Sequence, residues 1–249
     1  MITTGRASDR AADVVIRRLG AFRKISAAAA TELEEAIRGR IVTAAAGQEL
    51  ACEGDPADRL RMVLSGWAVR YKTLEDGRRQ IVSLVLPGDT CDSQIYLLQR
   101  LDHSIVALTA VTYAEVERER FERLIASDRM LAEAFWCQTL SDAAIQREWT
   151  LNLGRRDAFE RVAHLLCEVI ERLRPVGLVD GDSCAFPITQ TDLADATGLS
   201  VVHVNRTLQE LRSSGLIVLR DRILMVHELD ALKDAALFNE DYLHYVKAG

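Results

Sequence analysis

The sequence predicts an α+β fold in three parts: an antiparallel β-barrel, one long helix, and a helical region that closes with a β-hairpin. In the first half of the 249 residues, glycines separate short segments of alternating apolar residues. A long segment with helical periodicity follows, and then two amphipathic helices around a glycine. We therefore expect three domains, at residues 1–125, 126–153 and 154–249.

Two short helices, at residues 13–20 and Ala27–Gly39, are expected before the barrel. The strand candidates RLRMVLS, WAVRYKTL and QIVSLVL alternate in polarity, and Asp76-Gly77 is a strong hairpin turn. Further strands are expected at residues 104–109 and 113–117. Turns recur about every ten residues, as in an antiparallel sandwich or barrel. The turn glycines are Gly47, Gly54, Gly66, Gly77 and Gly88.

Residues 128–153 have the spacing of one long helix. Its periodic positions mix apolar and polar side chains, which suits two structures. One is a helix buried in its own chain. The other is a seam between two copies of the chain, in which an occasional polar residue helps to fix the register. The periodic positions are Leu131, Phe135, Gln138, Ile145, Trp149 and Asn152.

The segment ITQTDLADATGLSVVHVNRTLQELRSSGLI, residues 188–217, predicts two helices joined by a tight turn. Thr189 can cap the first helix, and Asp192 stands close to the spacing of a capping box. Gly198 falls where the chain must turn, which favours a residue that tolerates positive φ. Ser200 is a suitable N-cap for the second helix. This arrangement is a helix-turn-helix.

The second of these helices has an apolar side and a polar side. Val204, Leu208 and Leu211 recur at helical spacing and form a stripe that should be buried. The polar side chains fall away from this stripe and form a face suited to a DNA groove. They are Asn205, Arg206, Gln209 and Arg212.

Two apolar runs follow, LIVL at residues 216–219 and ILMV at 223–226, around the turn Arg220-Asp221-Arg222. So short a connection between β-rich runs predicts a hairpin. A helix-turn-helix with such a hairpin is a winged helix-turn-helix, and this combination predicts binding to double-stranded DNA. An ordinary helical hairpin at a protein surface would lack the wing.

The run L-A-x-x-T-G-L-S-x-x-x-V-x-R-x-L-x-x-L-x-x-x-G-L-I, residues 193–217, resembles the DNA-binding motif of the Crp/Fnr family of bacterial transcription regulators. RLRMVLSGWAVRYKTLEDGRRQIVSLVLPGDTCD resembles the middle of that family's sensory barrel, and LGRRDAFERVAHLLCE the start of its DNA-binding domain. The resemblance covers almost the whole chain. It implies a jelly-roll barrel like that of cyclic-nucleotide-binding domains, a dimerisation helix, and a sequence-specific regulator that works with RNA polymerase.

The resemblance and the polar face together give the expected DNA contacts. Arg206 has bidentate geometry for guanine, or meets phosphate alone, and Asn205 can pair with adenine. Val202 stands where many family members carry Glu, so we expect a half-site that departs from the family's usual core at that base pair. The expected base contacts are Val201, Val202, Asn205 and Arg206. The expected phosphate contacts are Thr189, Gln190, Ser200, His203 and Arg212.

A homodimer is expected on geometric grounds as well, because two recognition helices about one DNA turn apart need a two-fold axis. Net charge argues against a general affinity for nucleic acid, since the chain carries −6. Residues 155–249 hold eleven Lys and Arg against fifteen Asp and Glu, a net of −4. Residues 203–222 hold four Arg against two acidic residues, a net of +2. We therefore expect selective binding through this local face, with strong salt dependence.

The barrel should sense a signal that the sequence does not identify. When the family is aligned from Gly88-Asp89, the arginine that would meet a cyclic phosphate is missing, which argues against cyclic AMP. Asp92 would also add negative charge there. The candidate effector-pocket residues at the aligned positions are Asp92, Ser93, His103 and Ser104.

Iron–sulfur relatives carry cysteines near the amino terminus, whereas this chain has none before Cys52. Cys52 and Cys91 both lie in expected barrel loops, which leaves open a redox thiol pair or a haem thiolate. Cys137 and Cys167 are expected to be packing residues. A regulator without any ligand, controlled by its own abundance, is also left open. The cofactor is therefore unknown from the sequence.

No catalytic or metal site is expected. The five histidines show no ligand spacing such as H-E-x-x-H, and no G-x-x-x-x-G-K run occurs. An enzyme is therefore not expected. A ligand-binding signalling module that does not act through DNA is the remaining alternative, although it would have no use for a winged helix-turn-helix. No apolar run approaches the roughly 20 residues of a membrane span, so we expect a cytoplasmic protein without a membrane partner.

Overall fold

The computed structural model describes residues 4–91 and 97–246 of the chain, with side chains from residue 12 onward. The α+β class predicted from the sequence is confirmed, with helices and antiparallel sheets in the expected order. None of the described helices combines the length and the apolar character that a membrane span requires.

The chain forms two compact units. The first contains the described parts of Met1–Tyr71, Leu84–Asp142 and His244–Gly249. The second contains Lys72–Ser83 and Ala143–Leu243. Each unit is therefore assembled from segments that are distant in the sequence.

The helices expected before the barrel are both present, as α1 (Thr4–Gly20) and α2 (Ala27–Gly39). The hydroxyl of Ser26 caps α2 by accepting a hydrogen bond from the backbone nitrogen of Ala29, at 3.1 Å. A further helix, α3 (Arg118–Ser127), follows the last strand of the first unit. These helices bury apolar side chains in the core of this unit.

The five segments that the sequence predicts as strands between α2 and α3 all form strands, and two further strands, Ile41–Ala44 and Glu49–Ala51, were not predicted. Among the described residues they form two sheets, with strand orders β1-β7-β3 and β2-β6-β4-β5, whose registered pairs are antiparallel. The expected barrel therefore consists of two sheets and not of one closed cylinder. The strands are β1 (Ile41–Ala44), β2 (Glu49–Ala51), β3 (Arg59–Ser65), β4 (Ala68–Thr73), β5 (Arg79–Val85), β6 (Ser104–Ala107) and β7 (Val111–Glu117).

The turn between β3 and β4 requires glycine. Gly66 has φ of +80°, in the left-handed region. A Cβ at this position would lie 2.1 Å from the carbonyl oxygen of Ala110 and 2.9 Å from Oγ1 of Thr109. The predicted turn at Gly66 is confirmed, and the close backbone approach explains why no larger residue fits.

A buried ion pair holds α1 to the first unit. Nε of Arg18 lies 2.9 Å from Oδ1 of Asp89, and both side chains are less than a tenth exposed. The hydroxyl of Tyr245 accepts from Arg18 at 2.5 Å. The backbone nitrogen of Val246 donates to the carbonyl oxygen of Ala21 at 2.8 Å. The carboxy-terminal segment thus returns to the first unit after the second has been completed.

The predicted long helix is confirmed as α4 (Arg129–Gly154). Its six periodic residues, Leu131 to Asn152, are each at most 5% exposed. Of the two structures that the sequence left open, these residues therefore show the first, a helix buried in its own chain. A seam between two copies through these six side chains is wrong, because the surrounding residues of the same chain already cover them.

The second unit contains the predicted helix-turn-helix and wing. The wing belongs to a larger sheet with the strand order β10-β11-β9-β8, of which the sequence predicted only the last hairpin. The elements are α5 (Ala158–Leu173), β8 (Val179–Asp180), β9 (Ser183–Ala185), α6 (Gln190–Thr197), α7 (Val201–Ser213), β10 (Ile217–Arg220), β11 (Ile223–Val226), α8 (Leu229–Ala235) and a 3₁₀ turn at Glu240–Leu243.

A polar network lies in the core of the second unit, around the fully buried carboxylate of Glu168. The indole nitrogen of Trp149 and the hydroxyl of Tyr242 donate to its Oε2, at 3.0 and 3.1 Å. Nη1 of Arg172 lies 3.1 Å from the other oxygen, Oε1. Burial raises the pKa of Glu168, and these donors, Arg172 first, oppose that shift. The network joins α4, α5 and the 3₁₀ turn.

Candidate nucleic-acid interface

The turn between α6 and α7 has the geometry that the sequence predicts. Thr189 and Asp192 form a capping box: the Thr189 hydroxyl accepts from the Asp192 nitrogen at 3.1 Å, and the Asp192 carboxylate accepts from the Thr189 nitrogen at 3.3 Å. Gly198 ends α6 in the left-handed conformation, with φ of 65°. Ser200 caps α7 by accepting from the His203 nitrogen at 3.2 Å.

Arg161 fastens this turn to the rest of the second unit. Its Nη1 donates to the carbonyl oxygen of Thr197 at 2.6 Å, and its Nη2 donates to those of Leu153 and Arg156. Burial lowers the pKa of Arg161. Sequence reasoning missed this residue, because nothing in the pattern of α5 indicates a partner 36 positions later.

The two sides of α7 are separated as expected. Val204, Leu208 and Leu211 are at most 1% exposed and pack into the second unit. Val202, at the first turn of the helix, is 81% exposed. Val201 is 42% exposed, and the polar side chains of α7 lie on the accessible side with it. An apolar side chain this exposed at a helix start is available for contact with another molecule.

Hydrogen bonds join the expected base contacts to the expected phosphate contacts. Nδ2 of Asn205 donates to Oε1 of Gln190, 3.2 Å away on α6. Nη2 of Arg206 lies 3.1 Å from Nε2 of His203, one turn earlier on α7. These pairs orient the side chains of Asn205 and Arg206 on the exposed face. Such orientation reduces the rotamer freedom that would otherwise be lost on binding.

Arg212 connects α7 to the wing, since its Nη2 donates to the carbonyl oxygen of Leu219 at 3.2 Å. The wing turn is tighter than expected: Arg220 pairs with Ile223, and only two residues connect them. The two connecting residues, Asp221 and Arg222, have positive φ of 52° and 61°, as in a type I′ turn. A cleft of about 250 Å³ lies between the wing, α6 and α7.

Two arginines that sequence reasoning did not select as contacts lie at this wing. Arg220 and Arg222 are exposed, and both reach the rim of the same cleft. Nε of Arg220 is 3.3 Å from a carboxylate oxygen of Asp221 in an exposed pair that solvent screens. Their charge was visible in the sequence, but their place beside α7 depends on the strand register.

Only part of the expected effector pocket can be located. Asp92 and Ser93 lie outside the described residues. Nδ1 of His103 is 2.7 Å from a carboxylate oxygen of Asp102. The hydroxyl of Ser104 accepts from the backbone nitrogen of Glu53 at 2.9 Å. His103 and Ser104 are therefore engaged by neighbouring loop residues of their own chain.

A polar cluster that the sequence did not indicate lies inside the first unit. Arg70 donates from Nε to the carbonyl oxygen of Cys91 and from Nη2 to that of Thr90, both at 2.8 Å. The same Nη2 is 3.2 Å from Oδ2 of Asp142 on α4. The hydroxyl of Thr90 also donates to the buried Gln138, at 3.3 Å. These contacts link the sheets of this unit to α4.

The cysteines carry free thiols. Cys52 is exposed and Cys91 is buried. Cys167 is fully buried, which raises its pKa to about 12 and agrees with a packing role, whereas Cys137 is half-buried. In the described part of the chain, no three His, Cys, Asp or Glu side chains are grouped so that they could hold a metal ion.

A second face of α4 carries exposed apolar side chains. Trp136 is 60% and Leu140 is 62% exposed. They belong to a row with alternating three- and four-residue spacing, which we call the outer stripe. None of its residues is among the six buried periodic residues of α4. The outer stripe comprises Glu133, Trp136, Leu140, Ala143, Arg147 and Thr150. In the first unit, a groove of about 440 Å³ runs beside Trp136.

A capped helix-turn-helix with an exposed polar face, joined to a two-stranded wing, defines a winged helix-turn-helix DNA-binding protein. Two family profiles match the chain: the cyclic nucleotide-binding domain over residues 41–128 and the Crp-like helix-turn-helix domain over residues 160–235. The chain belongs to the Crp/Fnr family of transcription regulators.

Individual relatives agree with this assignment. Nitrogen fixation regulation protein FixK of Bradyrhizobium diazoefficiens is 32% identical, over 83% of this chain and 85% of its own. Transcriptional activator protein FnrL of Cereibacter sphaeroides is 31% identical, over 71% of this chain and 72% of its own. The structure of FixK2 from Bradyrhizobium japonicum matches with a TM-score of 0.70 and 27% identity, over 79% of this chain and 96% of its own.

The expected function is confirmed at the level of the family. The protein is a DNA-binding transcription regulator, and its relatives are regulators and not enzymes. The comparisons give no support to the alternative of a signalling module that acts without DNA.

Proposed function

We propose that the protein binds a two-fold-symmetric DNA operator as a homodimer in the cytoplasm, with residues 1–125 as the sensory domain, 126–153 as the connecting helix and 154–249 as the DNA-binding domain. The observation that carries this proposal is the exposed face of α7. Val202 is 81% exposed at the start of the helix, and the hydrogen-bonded Asn205 and Arg206 stand beside it. An α-helix presented in this way fits the major groove of B-DNA.

The contacts divide by chemistry. Arg206 has two parallel donors for O6 and N7 of guanine, and Asn205 has the donor and acceptor that adenine requires. Val201 and Val202 offer methyl groups to thymine. Phosphates are bound at the capped starts of α6 and α7, where free backbone N–H groups favour an anion. The phosphate contacts are Thr189, Gln190, Ser200, His203 and Arg212.

The outer stripe of α4 supports the homodimer. Trp136 and Leu140 are large apolar side chains that the chain itself leaves exposed. Packed against the same stripe of a second copy, they form the centre of a parallel two-helix seam. Arg147 is a charged side chain in the same row and limits the strength of the seam. Two copies of α7 that meet successive major grooves require a two-fold axis, which such a seam would supply.

The regulatory partners are proposed from the relatives. FnrL is named a transcriptional activator protein, and a transcription activator acts on the enzyme that transcribes the gene. We therefore propose RNA polymerase as the second macromolecular partner. The first unit receives a signal whose chemistry is unknown, and His103 and Ser104 remain candidate contacts for it together with Asp92 and Ser93.

The test begins with a double-stranded DNA library of random sequence, from which the wild-type protein selects its site. The selected sites should be inverted repeats with half-sites about one helical turn apart. Arg206→Ala should then bind the selected site roughly 10- to 100-fold more weakly. Arg17→Ala, which removes an exposed arginine of α1, is the control and should bind as the wild type does. Selection of no sequence, or equal binding by Arg206→Ala, would contradict the proposal.

A further inference from the structure

The second unit includes a β-hairpin from the first half of the chain, and one arginine of that hairpin binds the helix-turn-helix. Nε of Arg79 is 2.8 Å from Oδ2 of Asp195, and Nη2 is 2.9 Å from Oδ1 of Asp192. The guanidinium therefore bridges two carboxylates that stand three positions apart on α6. Gln80 adds a hydrogen bond at 2.5 Å from its Nε2 to the carbonyl oxygen of Asp195.

The bridged carboxylate of Asp192 has a second role. Its Oδ2 accepts from the hydroxyl of Thr189 at 2.6 Å and from the Thr189 nitrogen at 3.3 Å, which forms the capping box of α6. Arg79 binds the other oxygen of the same carboxylate. The orientation of the cap therefore depends on an arginine that is 113 residues away in the sequence.

Electrostatics give the bridge a consequence for DNA. The helix α6, with the sequence QTDLADAT, carries two acidic side chains and no basic one. Thr189 and Gln190, at its start, are proposed phosphate contacts. Two unneutralised carboxylates within the next turn would repel a phosphate. Arg79 is 29% exposed and its partners 13% and 26%, so solvent screens these charges less than on an open surface.

We propose that Arg79 is a positioning residue for DNA binding, which holds the start of α6 in place and neutralises its carboxylates without itself touching DNA. This inference rests on the proposed phosphate contacts at α6. It assigns to the hairpin Lys72–Ser83 a part in presenting the DNA-binding surface. A guanidinium is suited to this part, because its fixed fork reaches two carboxylates at once, whereas an ammonium is a single point of charge.

The first test compares Arg79→Ala with Arg78→Ala on the DNA site selected by the wild-type protein. Arg78 is the matched control, since it is the neighbouring arginine, is 75% exposed, and in the described part of the chain pairs within its own turn with Asp76. Arg79→Ala should weaken binding about 10-fold, as expected for a coupled pair in contact, and Arg78→Ala less than about 2-fold. Equal binding by Arg79→Ala and wild type would overturn the proposal.

Salt dependence separates positioning from direct contact. A lost phosphate contact lowers the slope of log K against log salt by about one unit. Arg79→Ala should shift the whole line to weaker binding and change the slope by well under one unit, because salt screens the repulsion from the two partly exposed carboxylates. A slope lower by about one unit would show that Arg79 touches the DNA backbone and would overturn the proposal.

A double-mutant cycle tests the partner. In the Asp195→Asn background one of the repelling carboxylates is already gone. The fold-loss of DNA affinity caused by Arg79→Ala should therefore be less than half of the loss in the wild-type background. If Arg79→Ala weakened DNA binding equally in both backgrounds, the ion pair between Arg79 and Asp195 would have no part in DNA binding. Arg79→Lys keeps the charge and the folding of the hairpin and should bind about 3-fold more weakly than wild type. It replaces Arg79→Ala in both measurements if circular dichroism shows that the alanine variant does not fold.

These outcomes are distinct from a failure of the proposed function. If the wild-type protein selects no DNA site, the DNA contacts assigned to α6 and α7 are wrong. If it selects a site and Arg79→Ala binds that site equally well, only the role of Arg79 is wrong.

Discussion

The side-chain amide of Asn152 and Nδ1 of His164 lie 3.1 Å apart in the core of the second unit. Oδ1 of Asn152 accepts from Arg156 at 2.7 Å, so its NH₂ group faces the imidazole and Nδ1 must accept. His164 is fully buried and is therefore held in its neutral form. Burial first, and then the charge of Arg156, lower the pKa of His164 to about 3.

This relationship predicts an acid-sensitive fold. The folded pKa of His164 lies below the ordinary histidine value of 6.5, so the stability gained from the neutral ring is complete above pH 6.5 and is lost as the pH falls towards 3. The free energy of unfolding should fall by about 1.4 kcal/mol per pH unit from this group alone. In His164→Gln that part of the slope should be missing. Urea unfolding at pH 7 and at pH 5 measures it.

The control for this experiment is His227→Gln, at an exposed position, which should keep the wild-type dependence on pH. His164→Gln is expected to be less stable than wild type at pH 7, because the ring stacks on Tyr242 and meets Phe238 edge to face. If both variants lost stability between pH 7 and pH 5 as steeply as the wild type, another group would be responsible.

The outer stripe predicts which substitution separates the dimer. Leu140→Glu places two carboxylates opposite each other at the seam and should give a monomer in sedimentation or native mass measurements. Its operator affinity should fall roughly 100-fold, since the second half-site no longer binds within one assembly. Met130→Glu is the control, because Met130 is 39% exposed on the same helix but lies off the stripe. A dimeric Leu140→Glu would place the seam elsewhere.

The exposed Val202 predicts a change of base preference. In Val202→Glu the new carboxylate can accept from N4 of cytosine, so the variant should gain preference for G·C at one position of each half-site. The gain should be about 1–3 kcal/mol, measured by competition between duplexes that differ in that single base pair. The wild type should prefer A·T there. A full preference of the wild type for G·C would contradict the assigned contact.

Gly66 predicts a local limit on substitution. In Gly66→Ala the added Cβ meets the carbonyl oxygen of Ala110, and the backbone must also keep a positive φ. We expect a loss of at least about 2 kcal/mol in the free energy of unfolding. Gly39→Ala, at the end of α2 with open space around it, is the control and should be neutral or slightly stabilising. Equal thermal stability of both variants would show that the turn can relax.

The parts that could be predicted from the sequence are those fixed by neighbours in the chain. The cap at Thr189, the turn at Gly198 and the cap at Ser200 each depend on residues within four positions. The buried stripe of α7 depends on helical periodicity alone. The positions of five strands in the first half of the chain were likewise indicated by turns and alternation, because both signals are local. The order of the strands in the two sheets was not indicated.

The parts that could not be predicted depend on distant pairs or on ambiguous patterns. Arg79 and Asp195 are separated by 116 positions, and neither has a distinctive neighbourhood. On α4, apolar residues occur on more than one side. Periodicity found the row that contains Trp149 but could not tell burial in its own chain from a seam, and it did not indicate the exposed Trp136. The strands β8 and β9 are two and three residues long, too short to show alternation.

The interleaving of the two units has a practical consequence for anyone who divides this protein. The hairpin Lys72–Ser83 belongs to the second unit, and the segment from His244 belongs to the first unit. No single cleavage point therefore releases either half intact. A fragment that starts at Ala143 would lack Arg79 and would expose Tyr245 without Arg18 to receive it. During synthesis, likewise, the contact between Arg18 and Tyr245 in the first unit can form only after the whole second unit has been synthesised.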